Sequence, residues 1–293
     1  MGERHGIVVG IDGSPGSIAA VRWAQDRVAE FGPIRPVYVW AIPTLAIAGS
    51  PLGFAPPPPV DEMEAAAERA AHTLADELGF TPEEIDVRQG DTGTVLCDIA
   101  ADANLLVVGT RSRGPAAGNL LGSVGRYCAD HSPTPLVIVP AERSTVAAAQ
   151  NVIVGVDGSP NASAALRWAG ANFPDATITA VASWQTPVDG PVMFGGGRFD
   201  VTAFRAQATS IADETVAKVV ADLGLETDSI GRRVVEGDPR FTLHQEQARA
   251  GLLVVGRRGR GGIAHLLLGS TTTSLIHQPS CPIAVIPPEQ DHD

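Results

Sequence analysis

The chain is written twice. Residues 7–24 read IVVGIDGSPGSIAAVRWA and residues 152–169 read VIVGVDGSPNASAALRWA. The run LLVVG ends at Gly109 and again at Gly256, and PLVIVP from Pro135 returns as PIAVIP from Pro282. The copies lie about 145 residues apart, too long a period for a solenoid or a propeller. In a chain of 293 residues each half is long enough to bury a core of its own. We therefore expect a first domain over 1–142, a linker over 143–150 inside AERSTVAAAQ, and a second domain over 151–293.

Within each copy the hydrophobic pattern alternates between strand and helix. In the first, Ile7–Ile11 is a β-branched run, followed by Asp-Gly-Ser-Pro and then by apolar residues three or four apart at Ile18, Val21, Ala24 and Val28. Val37–Trp40 reads as the next strand. After a proline-rich excursion, Ala41–Pro59, the stretch Asp61–Leu78 reads as helix. Ile85–Gln89, a helix over Val95–Ala103, the strand from Leu105, a helix from Ser123 and the strand from Leu136 complete the unit. Five strands alternating with helices, several of them without polar interruption, predict a parallel sheet covered on both faces.

Open parallel sheets bind ligands beyond the carboxyl ends of their strands. Asp12 and Asp157 end the first strand of each copy, and the fourth strand runs into a basic, glycine-studded loop: GTRSRGPAAGNLLGS from Gly109, GRRGRGGIAHLLLGS from Gly256. Each loop ends on Gly-Ser at the start of a helix, where free N–H groups and the positive helix end favour an anion. Gly122 and Gly269 leave room for phosphate oxygens, the hydroxyls of Ser123, Ser270 and Thr271 add donors, and the N–H of Val124 lies in the same turn. Asp12 and Asp157 suit an amine, a ribose hydroxyl or a metal, or act as caps or Asx turns before Ser-Pro. Gly10 and Gly155 serve close strand packing or ligand approach. Trp23 and Trp168, like Trp40 and Trp184, occupy matching places and read as packing residues.

Other chemistry finds little support. A net charge of -12 argues against a nucleic-acid surface. Cys97, Cys128 and Cys281 share no short spacing, so neither a disulfide framework nor a zinc site is expected, and His265, His277 and Cys281 lack metal-ligand spacing. MGERHGIVVG has no signal-peptide core and no run approaches the roughly 18 apolar residues of a spanning helix, so we expect a cytoplasmic protein without membrane insertion. No G-x-x-x-x-G-K-[ST] loop is present, and QGDTG and EGDPR after the third strands give no catalytic set. Asp91 and Asp238 read there as turn or helix-start residues.

GVDGS after an apolar strand, with G-x-x-G-(nine residues)-G-S after the fourth, resembles the ATP-binding, tandem-domain form of the universal stress proteins. Gly256, Gly259, Arg260 to Leu268, Gly269 and Ser270 meet the spacing in full, whereas Ser112 stands where the second copy has Gly259. The resemblance implies two tandem Rossmann-like domains of the adenine nucleotide alpha hydrolase type, each a five-stranded parallel sheet of order 3-2-1-4-5. It also implies ATP, with Mg2+ or Mn2+ at its phosphates, and no metal site built from protein ligands alone. Nucleotide contacts would fall on Gly10, Asp12, Gly109, Ser112, Arg113, Gly114, Gly122, Ser123 and Val124. In the second copy they would fall on Gly155, Asp157, Gly256, Gly259, Arg260, Gly261, Gly262, Gly269, Ser270 and Thr271. Backbone groups near Val39 and Ala182 are expected to meet the adenine. The implied role is regulation in stress or growth adaptation with no or slow hydrolysis, through an unknown protein partner. Homodimerisation or domain pairing through the last strands is implied too. A nucleotide-free scaffold and a slow ATP hydrolase remain open. Ser112 costs about 1 kcal/mol if the chain there needs φ > 0; if it does not, its hydroxyl is free to donate to phosphate, and the second copy is expected to bind ATP at least as tightly as the first.

Overall fold

The computed structural model describes residues 6–42, 58–110, 120–141, 150–185, 201–226, 228–259 and 267–288. It divides into two compact units, Met1–Ser144 and Thr145–Asp293. The first contains β1 (Ile7–Ile11), α1 (Pro15–Gln25), α2 (Val28–Phe31), β2 (Ile34–Trp40), α3 (Val60–Leu78), β3 (Asp86–Gln89), α4 (Thr92–Ala100), β4 (Leu105–Gly109), α5 (Ser123–His131) and β5 (Leu136–Val139). The second contains β6 (Asn151–Gly155), α6 (Pro160–Asn172), β7 (Thr177–Trp184), α7 (Val201–Leu223), β8 (Ile230–Glu236), α8 (Pro239–Glu246), β9 (Leu252–Gly256), α9 (Ser270–His277) and β10 (Ile283–Ile286).

All strands of the first unit are parallel and run in the order β3-β2-β1-β4-β5. The second repeats it as β8-β7-β6-β9-β10. This is the expected 3-2-1-4-5 order in each. Right-handed crossovers put α1 and α3 on one face of the first sheet and α4 and α5, which pack together, on the other. The strands carry apolar side chains toward both helix layers, with Ile7, Leu105 and Leu106 fully buried in the first unit and Leu252 and Leu253 in the second. Each such side chain contributes roughly 1.5–3 kcal/mol by leaving water.

Local chemistry sets the helix limits. Ser14 caps α1 by accepting from the Ser17 N–H at 3.2 Å, and Pro15 follows at the first helical position. Ser159 and Pro160 repeat the device in α6. The apolar spacing through Val28 suggested one helix, but α1 stops at Gln25 and α2 follows as a separate four-residue helix. There the Arg27 guanidinium lies 5.4 Å from the Trp23 ring. The helix expected from Val95 begins earlier, at Thr92, because Asp91 accepts from the Thr94 N–H at 3.0 Å and caps it. Trp23 is buried, while Trp168 is half-buried and edge-on to Phe173.

Two glycines let α1 meet the sheet. A Cβ on Gly109 would overlap the backbone of Gly16 and Ser17, and one on Gly16 would overlap the Thr110 carbonyl. The helix start thus lies on the strand end with no side chain between them. Gly109→Ala is expected to lower stability by about 1–3 kcal/mol, the usual cost of overpacking. Urea denaturation of the full chain followed by circular dichroism measures this, and an unchanged midpoint for the first unit would exclude the contact.

Candidate functional site

The carboxyl ends of β1 and β4, the start of α4 and the start of α5 enclose a cavity of about 370 Å³. Gly10, Ile11 and Asp12 border it from the first strand, Gly109 and Thr110 from the fourth, and Gly122, Ser123, Val124 and Gly125 from the helix start. In the second unit a cavity of about 380 Å³ occupies the same place. Gly155 and Asp157 border it, as do Gly256, Arg258, Gly259, Gly269, Ser270 and Thr271. The strand-end, fourth-strand and helix-start residues named here thus share one concave surface in each unit, of a size usual for small-molecule sites.

The helix starts at this edge differ in one respect. α1 is capped by Ser14, and α4 by Asp91. α5 instead begins after Gly122 and α9 after Gly269, each glycine extended (ψ 174 and 152) and neither bringing a side-chain acceptor to the first turn. Helix geometry gives those first-turn N–H groups no intrahelical acceptor, so the turn faces the cavity with donors and the positive end of the helix dipole. Opposite stands a carboxylate: Asp12 Oδ1 accepts from the Ser14 N–H at 2.9 Å, and Asp157 Oδ1 from the Ser159 N–H at 2.9 Å. These are Asx turns; the helix cap itself is the following serine. One carboxylate oxygen in each unit therefore fixes the strand-to-helix turn, which orients the second.

The glycines of the sequence pattern act in several ways. A Cβ on Gly10 would come within 2.9 Å of Leu96 Cδ1, and one on Gly155 within 2.9 Å of Leu243 Cδ1, so strand packing restricts both as they border the cavity. Gly256 is confined by Asn161. Gly259 corrects the conformational expectation: its backbone lies outside the left-handed region, and the limit is that a Cβ would overlap Asp157 Oδ2. Ser112, Arg113, Gly114, Arg260, Gly261 and Gly262 lie outside the described residues.

On the second strand of each unit Val37 borders the first cavity, and Val181 and Ser183 border the second; Val39 and Ala182, whose backbone is expected near the adenine, are not among the bordering residues. Gly10 pairs with Val37 and Gly155 with Val181, so the equivalent positions are Val37 and Val181. Among the bordering residues that escaped the sequence reading are Thr92 and Leu96 of α4 and Pro239 and Leu243 of α8. Their signal was the capping aspartate in GDTG and GDPR, which starts a helix at the same sheet edge. The Thr94 backbone N–H holds Asp91 below the ordinary carboxylate range, and the Arg240 guanidinium holds Asp238 down to about 2. A folded value below the ordinary one means that each cap acts fully above about pH 4 and fades as pH falls, for Asp238 through about 2.

Comparison with known proteins follows the same division. The model of the universal stress protein family matches residues 3–140 and again 148–287. The chain belongs to the universal stress protein family. A member from Mycobacterium tuberculosis strain H37Rv is 31% identical over 296 residues, covering 96% of this chain and 95% of its own length. One from Mycolicibacterium smegmatis is 29% identical over 303 residues, 97% of each chain. The crystal structure of a family member from Archaeoglobus fulgidus shares the fold, with a TM-score of 0.66 at 18% identity over 98% of this chain and 99% of that one.

The Gly259–Asp157 approach yields a direct test. Gly259→Ala should cost roughly 1 kcal/mol through displacement of the carboxylate, and much of that cost should vanish when Asp157 is already alanine. A double-mutant cycle by thermal or urea denaturation reads the coupling; strictly additive effects would mean the two residues do not constrain each other.

Proposed function

We propose that each unit binds ATP and that the chain is a nucleotide-dependent regulator in stress or growth adaptation, with no or slow hydrolysis. One observation carries this reading. In each unit the glycine-capped helix start and the strand-end carboxylate border the same cavity, donors on one wall and an acceptor on another. The polyphosphate would lie on the first turns of α5 and α9. The ribose or the adenine amine would meet Asp12 or Asp157, and the ring would rest near Val37 or Val181. Arg258 adds positive charge to the second cavity.

A divalent ion fits as a companion of the phosphates. Each cavity offers one carboxylate from its described residues, and no cluster of three or more ligating side chains occurs among the described residues. Mg2+ or Mn2+ would therefore take most of its oxygens from ATP and water, and would supply charge neutralisation. Among the described bordering residues no histidine or lysine stands beside the phosphate wall, which favours binding over rapid turnover.

Asparagine at Asp12 and Asp157 preserves the oxygen that holds the turn while removing the charge. Titration calorimetry with Mg-ATP should show two sites per chain, and Asp12→Asn with Asp157→Asn should weaken both roughly ten- to a hundredfold, as for a lost charged hydrogen bond. Absence of heat with the unmodified protein, together with no nucleotide carried through purification, would defeat the proposal.

A further inference from the structure

Behind the second cavity lies a polar chain that the nucleotide contacts do not use. Gln247, at the end of α8, is fully buried. Its Oε1 accepts from the Ser280 N–H at 2.7 Å and from the Ser280 hydroxyl at 3.1 Å. A backbone N–H can only donate, so these bonds fix the amide: oxygen toward Ser280, nitrogen toward His244 Nδ1 at 3.2 Å. An amide nitrogen also only donates, so His244 Nδ1 must be the acceptor. The imidazole is then neutral with its hydrogen on Nε2, which donates to Ser274 Oγ of α9 at 3.3 Å. The direction of each hydrogen bond along Ser280, Gln247, His244 and Ser274 is assigned by this logic.

The chain joins the elements that shape the cavity. Leu243, next to His244, and Pro239 border it from α8, while Ser270, Thr271 and Thr272 border it from α9, one turn before Ser274. In the first unit Cys97 stands at the equivalent place, as far beyond Asp91 as His244 is beyond Asp238. The relay is thus particular to the second unit.

We infer that neutral His244 is a positioning residue that holds the start of α9 against α8, and that its protonation releases that hold and selectively weakens ligand binding in the second cavity. Protonation places a hydrogen on Nδ1, opposite the two donor hydrogens of Gln247, and neither side can accept. Gln247 cannot turn without leaving the Ser280 N–H unmatched in a buried place, so the His244 contact gives way. The charges around His244 do not replace it. Arg240, one turn earlier on α8, is engaged with Asp238, and Glu246 with Arg233 of β8. From α9 only His277 is titratable, and β7, the other main packing partner, contributes no titratable residue.

The inference about ligand affinity rests on the reading of the cavity as a nucleotide site; the inference about the helix does not. The full-length chain is labelled at its histidines with 15N, and amide exchange of α9 and α5 is followed from pH 8 to pH 5.5 after correction for intrinsic rates, with and without Mg-ATP. Nitrogen shifts at pH 8 should show His244 neutral with hydrogen on Nε2. Protection of α9, but not α5, should fall roughly three- to tenfold as His244 protonates, the span expected for one hydrogen bond. Mg-ATP protection of α9 should weaken in parallel, with α5 as control for the titration of ATP itself. His244→Gln should keep protection near its pH 8 level throughout. Hydrogen on Nδ1, parallel behaviour of α5 and α9, or a pH step that persists in His244→Gln would overturn the inference. A relay that titrates as described in a chain showing no ATP protection would sustain the positioning role and refute the nucleotide reading alone.

Discussion

Parallel strands deliver all their carboxyl ends to one edge of the sheet, and everything functional in this chain is arranged by that constraint. At that edge the backbone must turn from strand into helix several times within a small space. The turns succeed because small residues stand where main chains meet: Gly109 against Gly16, and Gly256 against Asn161. A helix start brought this close to the sheet can present its amide groups only to itself, to a neighbouring side chain or to a ligand.

The chain chooses among these alternatives with different residues. Ser14 and Ser159 satisfy the first turns of α1 and α6, and Asp91 and Asp238 those of α4 and α8. Gly122 and Gly269 offer α5 and α9 no side chain at all. The cost of leaving a cap unmade is typically about 1 kcal/mol. A ligand with negative charge would add an acceptor at those turns, and the helix dipole adds to its attraction. The facing carboxylate, fixed by an Asx turn, suits a donor group or a divalent ion on the same ligand, and the proposed nucleotide meets both conditions.

Much of this was legible in the sequence because it was written in patterns that survive without knowledge of the fold. The duplication, the apolar strands and the Gly-Ser helix starts are local, and each appears twice. The strand order came from the resemblance, since periodicity alone does not say which strands are neighbours. The position of the second strand along the cavity was not legible, because it depends on the register with the first strand, which sets Val37 beside Gly10 and Val181 beside Gly155. Thr92, Leu96, Pro239 and Leu243 were missed because the helix after the third strand joins the site only through the crossover across the sheet, which no local pattern shows. The significance of Gly259 was visible, but its cause was not: a close approach to Asp157 is a tertiary fact, whereas a glycine in sequence suggests first a special backbone angle.

The central claim is that the glycine-capped helix starts and the strand-end carboxylates act on one and the same ligand. A crystal structure of the full chain grown with a non-hydrolysable ATP analogue tests it most directly. The account predicts phosphate oxygens on the first-turn amides of α5 and α9, with the nucleoside between Asp12 and Val37 in one unit and between Asp157 and Val181 in the other. Phosphates bound away from both helix starts, or cavities that stay empty at saturating analogue, would contradict it.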